Sequence, residues 1–591
     1  MAEMPERATT SPDPFESALA QAQHANQQGD WAGAETALRK CLALQPSNGI
    51  VFGYLGMSAS KLGRRAEAIE LFEKAVQLGT RPIFILALAD EYEAAGMLTD
   101  AWARYKKFLK YEPTHAAALM KLGGVKDRLG DKPGARECYR LAYEANPDDI
   151  MITHKYTNAI WAKDPEKALR LTERLLEVYK DDVQNLSAVL THVICQKEWY
   201  ERIKRGLMPY HCSRVDELFF DHARDYVKQL EATSSQLVAA YPESESLRLM
   251  LATARFALKD RHGAEAIIRT AVKKTKGHIY ETVRFAPEFY DELRAMPDAD
   301  IARGLPPRIE VTPPCPDANG VLYLSCNYTY FYAFAFPMIV SLRERSPATP
   351  VHVHIMDADQ EQTDFALAVL QRLTPLKFAL SVERPRLKPN SSQAKCYYHA
   401  VRFIRYYEHL KLYGCPLWLM DVDAVINRDL KDLFAEIGSC DAAMRIRPGR
   451  LEPWNQFNAC MVAASQSTTS IEYFRLIAAY IAHFQQNNSL RWGIDQLAMY
   501  GVYADMEDRG TAPSLCLLGE REVDYDYRED GFVWCNSGAG KFKHLERISN
   551  PKAMPFADFE ENRFVAAFET LWSECQSLTN SVLSAVVAKP S

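Results

Sequence analysis

Four glycines, Gly29, Gly63, Gly96 and Gly130, stand 34, 33 and 34 residues apart, and nothing else narrows the possible folds of this 591-residue chain as far. Ala34, Ala68, Ala101 and Ala135 keep the same steps, and Pro46, Pro113 and Pro147 fall on the same grid. Between these marks each unit reads as helix, glycine turn, helix and a Pro-marked turn, as in the segment from Gly63 to Ala75. A glycine just past a helix end takes the left-handed conformation that closes it, and a small alanine lets two helices approach closely. A unit of this length cannot bury its apolar face alone, so successive copies must stack.

This pattern resembles the tetratricopeptide repeat, whose period is about 34 residues. The resemblance covers residues 14–182, with four clear repeats and a degraded fifth around Lys163 to Ala168. Residues 183–300 stay helical without the strict period, and Leu247 to Ala266 is again repeat-like. The expected organisation is therefore a disordered leader over 1–13 followed by an all-α solenoid over 14–300. Such a solenoid offers a long concave surface suited to an extended peptide or a protein partner.

The prolines of Gly304-Leu-Pro-Pro-Arg308 and of the stretch from Thr312 to Gly320 cannot continue a helix, which marks 301–320 as a linker. From Val321 short apolar strands alternate with helices, the signature of an α/β sheet. Val321 to Leu324 reads as a strand, Phe334 to Arg343 as a helix, and Val351 to Ile355 as a strand leading to Asp357. Gln393 to Leu412 is a helix feeding the next strand. The α/β domain is expected over 321–570, with a C-terminal tail over 571–591.

Within this domain the apolar run Leu417 to Met420 ends in two carboxylates, Asp421 and Asp423. Residues i and i+2 of a strand share a face, so the pair should stand side by side at a strand end, where open α/β sheets bind ligands. Two such oxygens suit a hard cation that fills its remaining positions with phosphate and water. A plain acidic turn is the bland alternative.

The order of elements extends this reading. A Tyr- and Phe-rich segment, Ser325 to Tyr332, follows the first strand; an Arg-bearing helix precedes Asp421; Phe457-Asn-Ala-Cys460 and Asp495-Gln496 come later. As an ordered set, Val321 to Lys541 resembles the GT-A fold nucleotide-sugar transferases, and among them the glycogenin-like retaining transferases of family 8. The resemblance implies that Asn327 and Tyr330 hold the nucleotide base and that Arg402 contacts sugar hydroxyls or phosphate. It places Asp421 and Asp423 on a metal bridging the donor phosphates, and Asn458 and Ala459 beside the donor sugar. Asp495 and Gln496 would flank the reacting carbon as the catalytic pair. The family's closing His-x-x-Gly-x-x-Lys stands here as Cys535, Gly538 and Lys541, with both spacings kept. Lys541 and Gly538 match its diphosphate clamp. Cys535 takes the position of the third metal ligand, although a thiolate is softer than Mg²⁺ or Mn²⁺ prefers.

The resemblance thus implies a metal-dependent hexosyltransferase using Mn²⁺, or alternatively Mg²⁺, and a nucleotide-diphosphate sugar, with a UDP-sugar favoured. The acceptor would be a protein recruited by the repeats. The alternatives are a glycan or lipid-linked saccharide acceptor, or a non-catalytic repeat scaffold with a decayed transferase domain. Oligomeric state and stereochemical outcome stay open.

The remaining signals are mostly exclusions. A net charge of −6 argues against a general nucleic-acid binder. No apolar run approaches the ~20 residues of a membrane span, and the polar N-terminus lacks a signal-peptide core. The 13 cysteines form no Cys-x-x-Cys pair, which fits a reducing, cytoplasmic setting. His352, His354 and His399 read as packing residues, and Asp524-Tyr-Asp526 as a surface loop. Neither a Walker loop nor a Rossmann fingerprint occurs.

Overall fold

The computed structural model describes residues 13–79, 81–205, 213–215, 222–271, 278–317, 319–388, 391–437, 440–447, 450–536 and 563–587. Of the leader expected over 1–13, all but Asp13 lies outside these residues. The chain divides into two compact units, Met1–Val178 and Tyr179–Ser591.

The first unit is a helical solenoid. Its helices pair as Pro14–Gln27 with Trp31–Leu44, Gly49–Lys61 with Arg65–Gln77, Pro82–Ala94 with Leu98–Phe108, Ala116–Arg128 with Lys132–Ala145, and Ile150–Ile160 with Pro165–Val178. All four periodic glycines have φ between 74° and 81°, the left-handed turn that joins each of the first four pairs. Ala34, Ala68, Ala101 and Ala168 are fully buried and Ala135 nearly so, which is the close approach their register predicts. Asp30 and Asp131 cap the second helices of their pairs by accepting from the N–H of Gly33 and Gly134.

The second unit holds twelve strands among the described residues. They are β1 (Ser213–Val215), β2 (Ile309–Glu310), β3 (Val321–Asn327), β4 (Val351–Met356), β5 (Phe378–Glu383), β6 (Leu417–Met420), β7 (Ala424–Ile426), β8 (Ala442–Ile446), β9 (Phe457–Ala464), β10 (Leu515–Leu517), β11 (Val523–Asp524) and β12 (Val533–Cys535). Nine of them form one mixed sheet in the order β1-β10-β8-β9-β6-β3-β4-β5-β2; the other three form a small sheet, β11-β12-β7. Strands β5, β4, β3 and β6 run parallel, with Leu324 opposite both Val353 and Met420. Strand β9 is antiparallel to β6 and to β8.

Strands β3 and β6 are buried on both faces. Tyr323, Leu417 and Leu419 join the core that includes Tyr406 and Phe474, from the helices Ser392–Tyr413 and Thr468–Gln486. Leu322, Leu324, Trp418 and Met420 join the opposite core, with Ile339 and Phe568 from the helices Phe336–Arg345 and Arg563–Val587. This two-sided burial is why the strands read as continuous apolar runs.

Several boundaries differ from the sequence expectation. The solenoid expected over 14–300 spans both units. Phe256, Phe285, Phe289 and Tyr290 share a core with Tyr480 and Tyr500, and Arg261 pairs with Glu507 and Asp508. Aromatic packing and a buried cation thus place the helices before residue 300 with the sheet unit. The stretch expected as a linker supplies β2, because Ile309 and Glu310 pair with Val382 and Ser381. Much of the tail expected over 571–591 is helix, held by the buried Leu571, Trp572, Cys575 and Val582. Asp524-Tyr-Asp526 departs from the expected surface loop at its first residue: Asp524 lies in β11, is 1% exposed, and accepts from the N–H of Asp526 and Arg528, while Asp526 is exposed.

Candidate functional site

The chain runs outward from β3 to β4 and β5, then returns to β6 on the other side of β3. A crevice opens at such a reversal, outside the carboxyl ends of the strands, and ligands of open α/β sheets bind there. Asn327 ends β3, Asp357 follows β4 and Asp421 follows β6, so all three stand on that edge.

Side-chain alternation explains the central contact. Met420 belongs to one core and Leu419 to the other, so Asp421 falls on the face covered by the helix Ser392–Tyr413. There Arg402, 6% exposed, donates from Nη1 to Asp421 Oδ1 at 2.5 Å. Its Nη2 donates to the Ala459 carbonyl and to Asp495 Oδ2, both at 3.3 Å. Arg402 Nε is buried and finds no hydrogen-bond partner among the described residues. One guanidinium is therefore shared by two carboxylates, with its Nε left without a partner among the described residues.

Asp495 lies in the first turn of the helix Ile494–Asp508 and is fully buried. Burial alone would raise its carboxyl pKa, but His399, Arg402 and the N–H of Gln496 outweigh that and hold it below the usual value. His399 Nε2 lies 2.8 Å from Asp495 Oδ1. Gln496 Oε1 accepts from Arg447 Nη1 at 2.9 Å. Asp495 thus meets the same guanidinium as Asp421, although 93 and 74 residues of chain separate it from Arg402 and Asp421.

Asn327 is half-buried and caps a short helical turn by accepting from the N–H of Tyr330 at 2.9 Å. The half-buried Tyr330 ring packs on Phe334 at 5.3 Å between centroids. Asn458 is buried and accepts from the N–H of Cys460 at 3.0 Å, while Ala459 offers its carbonyl to Arg402. Gly538 and Lys541 lie outside the described residues.

The carboxylate pair departs from its expected geometry. Strand β6 stops at Met420, so its alternation reaches Asp421, the next residue, but does not continue to Asp423. The Asp421 side chain is 38% exposed, whereas Asp423 is largely buried. Asp421 is anchored by its own N–H, which donates to the Cys460 carbonyl at 2.7 Å; the Asp423 carbonyl accepts from the N–H of Asn536 at 3.0 Å.

Cys535 does not fit the third position. It sits opposite Ala424 in the small sheet, and burial, reinforced by Cys460, Asp423 and Asp421, pushes its thiol well above the usual value. A metal deprotonates a thiol that it binds, so geometry decides whether Cys535 fits. The ligand atoms of Asp421, Asp423 and Cys535 are not gathered within 4.8 Å of one another; among the described residues, Glu310, His352 and His409 are the group of three that is. In that group both ring nitrogens of His352 are engaged, by the Tyr413 and Ser381 hydroxyls at 2.7 Å each. His354 also meets Ser381. The strand histidines are therefore packing and hydrogen-bonding residues, as the sequence suggests. Because Cys535 stays neutral at pH 8, native protein should resist alkylation there by iodoacetamide, whereas urea-unfolded protein should label fully; peptide mass spectrometry reads the difference.

Three residues at this edge escape a sequence reading in their structural roles. Asp357 has φ of 97°, unusual for a side chain other than glycine, and its carboxylate accepts from the Tyr328 N–H and the Tyr398 hydroxyl, both at 2.8 Å. Burial raises its pKa despite those bonds. His399 reads as packing but contacts Asp495. Trp492, 62% exposed, stacks face to face on His399 with ring centroids 4.2 Å apart. The single available signal was its place three residues before Asp495.

Among known proteins, residues 19–81 and 86–150 match the family model described as tetratricopeptide repeat. No curated protein matches the chain. Among solved structures, a tetratricopeptide repeat protein from Parabacteroides merdae is 14% identical over 46% of this chain and 96% of that one, with a TM-score of 0.32. The MamA protein is 22% identical over 29% of this chain and 96% of its own, with a TM-score of 0.27. YrrB, titled a TPR protein with an unusual peptide-binding site, is 16% identical over 29% of this chain and 95% of its own, with a TM-score of 0.26. No helix among the described residues is long and apolar enough to cross a membrane.

Proposed function

We propose that the sheet unit is a glycosyltransferase of GT-A type and that the repeat unit recruits the protein bearing its acceptor. The observation that carries this reading is the cluster of Asp421, Arg402 and Asp495 at the strand-order reversal between β3 and β6. The donor is a nucleotide-diphosphate sugar, with a UDP-sugar favoured.

Asp421 and Asp423 would hold Mn²⁺ or Mg²⁺, since such ions need only one or two carboxylates when phosphates and water complete the shell. The ion supplies charge neutralisation on the leaving diphosphate. Arg402 fixes the Asp421 carboxylate in place through Oδ1. Its unpartnered Nε suits a sugar hydroxyl or a phosphate oxygen. Asp495, kept ionised by Arg402 and His399, can accept from donor-sugar hydroxyls or stabilise positive charge developing at the reacting carbon. Gln496 is oriented by Arg447 for the same centre.

The solenoid supports partner recruitment on physical grounds: repeat stacks of this kind expose a continuous surface that grips extended segments. Holding the acceptor there supplies binding energy remote from the reacting atoms.

The test is nucleotide release from UDP-, GDP- and dTDP-sugars by the full-length protein, with Mn²⁺, Mg²⁺ or chelator and no acceptor. Slow metal-dependent hydrolysis of one donor is the expected result. Absence of both hydrolysis and donor binding with every metal would leave the chain as a repeat scaffold.

A further inference from the structure

Away from the crevice, near the amino end of β4, three groups with ligand chemistry meet between the sheet and the helix Ser392–Tyr413. His352 is the second residue of β4, and His409 lies in the last two turns of that helix. Both are fully buried, with ring centroids 4.2 Å apart. Glu310 ends the two-residue edge strand β2, and its side chain is 32% exposed. One ligand atom from each of the three lies within 4.8 Å of the other two. His409 stands seven residues, about 10 Å along the helix, from Arg402, so this group is separate from the cluster at the strand ends.

The protons decide what these rings can bind. His409 Nδ1 lies 2.7 Å from the Arg405 carbonyl, which only accepts, so Nδ1 carries the N–H. Burial, reinforced by His352, Arg308 and His354, pushes the His409 pKa well below the usual value. The ring is therefore neutral, and Nε2 is a lone pair. That Nε2 is buried and has no hydrogen-bond partner among the described residues. A buried acceptor without a donor is costly, and a cation at that point would satisfy it. A backbone carbonyl on the far nitrogen is also what orients a metal-bound imidazole.

His352, held neutral by burial as well, has a hydroxyl on each ring nitrogen, from Tyr413 and Ser381. A hydroxyl can donate or accept. An ion can thus displace either one, while the other accepts the remaining N–H and keeps the ring oriented. Arg308 is the cation beside the site, and it is already matched: its Nε meets Glu310 Oε1 at 2.6 Å and its Nη1 meets Glu408 Oε2 at 3.2 Å. Two imidazoles and a carboxylate suit zinc, whereas Mg²⁺ and Mn²⁺ prefer oxygen alone. Zinc holds its nitrogen and oxygen ligands at about 2.0–2.2 Å, a tighter grouping, and the partly exposed Glu310 has room to close in.

We propose that Glu310, His352 and His409 bind Zn²⁺, with water in the fourth position, and that the ion clamps the edge strand β2 to β4 and to the helix Ser392–Tyr413. Strand β2 pairs with β5 through two residues, so a tie from Glu310 into the core adds an anchor where the sheet is thinnest. The site is structural and does not depend on the transferase reading.

The test strips the full-length protein with chelator and titrates it with Zn²⁺ by calorimetry. Expected are one bound equivalent, a melting temperature above that of the stripped protein, and a zinc-edge X-ray absorption spectrum showing nitrogen and oxygen ligands with two imidazoles. Glu310→Gln should melt with the stripped wild type and lose Zn²⁺ affinity by about 100-fold, since losing even an outer partner of a metal costs about 10–100-fold. Asp421→Ala should bind the same equivalent as wild type, which separates this site from the Asp421 and Asp423 pair. No Zn²⁺ binding, binding lost in Asp421→Ala but kept in Glu310→Gln, or sulfur among the zinc ligands overturns the proposal. Should Glu310→Gln fail to fold, the wild-type absorption spectrum decides: two imidazoles uphold the site, and fewer overturn it.

Discussion

Replacing Asp421 by alanine should reduce metal-dependent turnover of the donor by about three orders of magnitude, the scale of several kcal/mol of charge stabilisation lost from the leaving group. The side chain is 38% exposed and its main structural partner is Arg402, so folding should survive. The variant does release Arg402 Nη1, but that guanidinium keeps Asp495 and the Ala459 carbonyl. Wild type and Asp421→Ala are compared by donor hydrolysis with Mn²⁺ and by urea denaturation. A variant that folds normally, binds repeat partners as before and still hydrolyses the donor at the wild-type rate would remove Asp421 from the chemistry. Asp423→Ala is a less clean probe, because the buried Asp423 bears on the strand junction that continues into β7.

Replacing Asp495 by asparagine should cost both activity and stability. The carboxylate is fully buried, and it is the shared partner of Arg402 and His399. Removing its charge leaves a buried guanidinium with one carboxylate in place of two, and breaking a buried ion pair from one side costs about 3–5 kcal/mol. The pH dependence has a definite sign. The folded-state pKa of Asp495 is lowered: burial opposes ionisation, and His399, Arg402 and the Gln496 N–H more than offset it. Its contribution is therefore present above the unfolded value of ~3.9 and is lost as pH falls through the lower folded value. The stability gap between wild type and Asp495→Asn should be full at pH 7 and narrow below about pH 4. Urea denaturation at pH 7 and in a series down to pH 3 measures it. A gap that widens in acid, or is absent at pH 7, would mean that Asp495 is not held as a charged partner.

Much of the organisation was legible because it rests on short-range rules. The glycines of the repeats need no tertiary information to be read as helix ends, and each has the positive φ that the reading requires. The strands β3, β4 and β6 and the helix carrying Arg402 lie within a few residues of where apolar runs and helical spacing place them. The relation between Asp421 and Asp423 was less legible. Strand periodicity holds only while the strand lasts, and β6 ends at Met420.

What sequence determined by itself, then, is the repeated helical unit, the change to an α/β pattern near Val321, and the chemical types gathered at the strand ends. Tertiary structure alone decided which of those groups are charged, shared or exposed. Arg402 becomes a bridge because two carboxylates distant in the chain converge on it; Cys535 becomes a neutral thiol because β12 buries it against β7. Trp492 is held against another ring while exposed because His399, 93 residues earlier, stacks flat on it. Helix caps and strand runs are set by neighbours along the chain. Protonation, ion pairing and exposure are set by neighbours in space, which only the folded packing supplies.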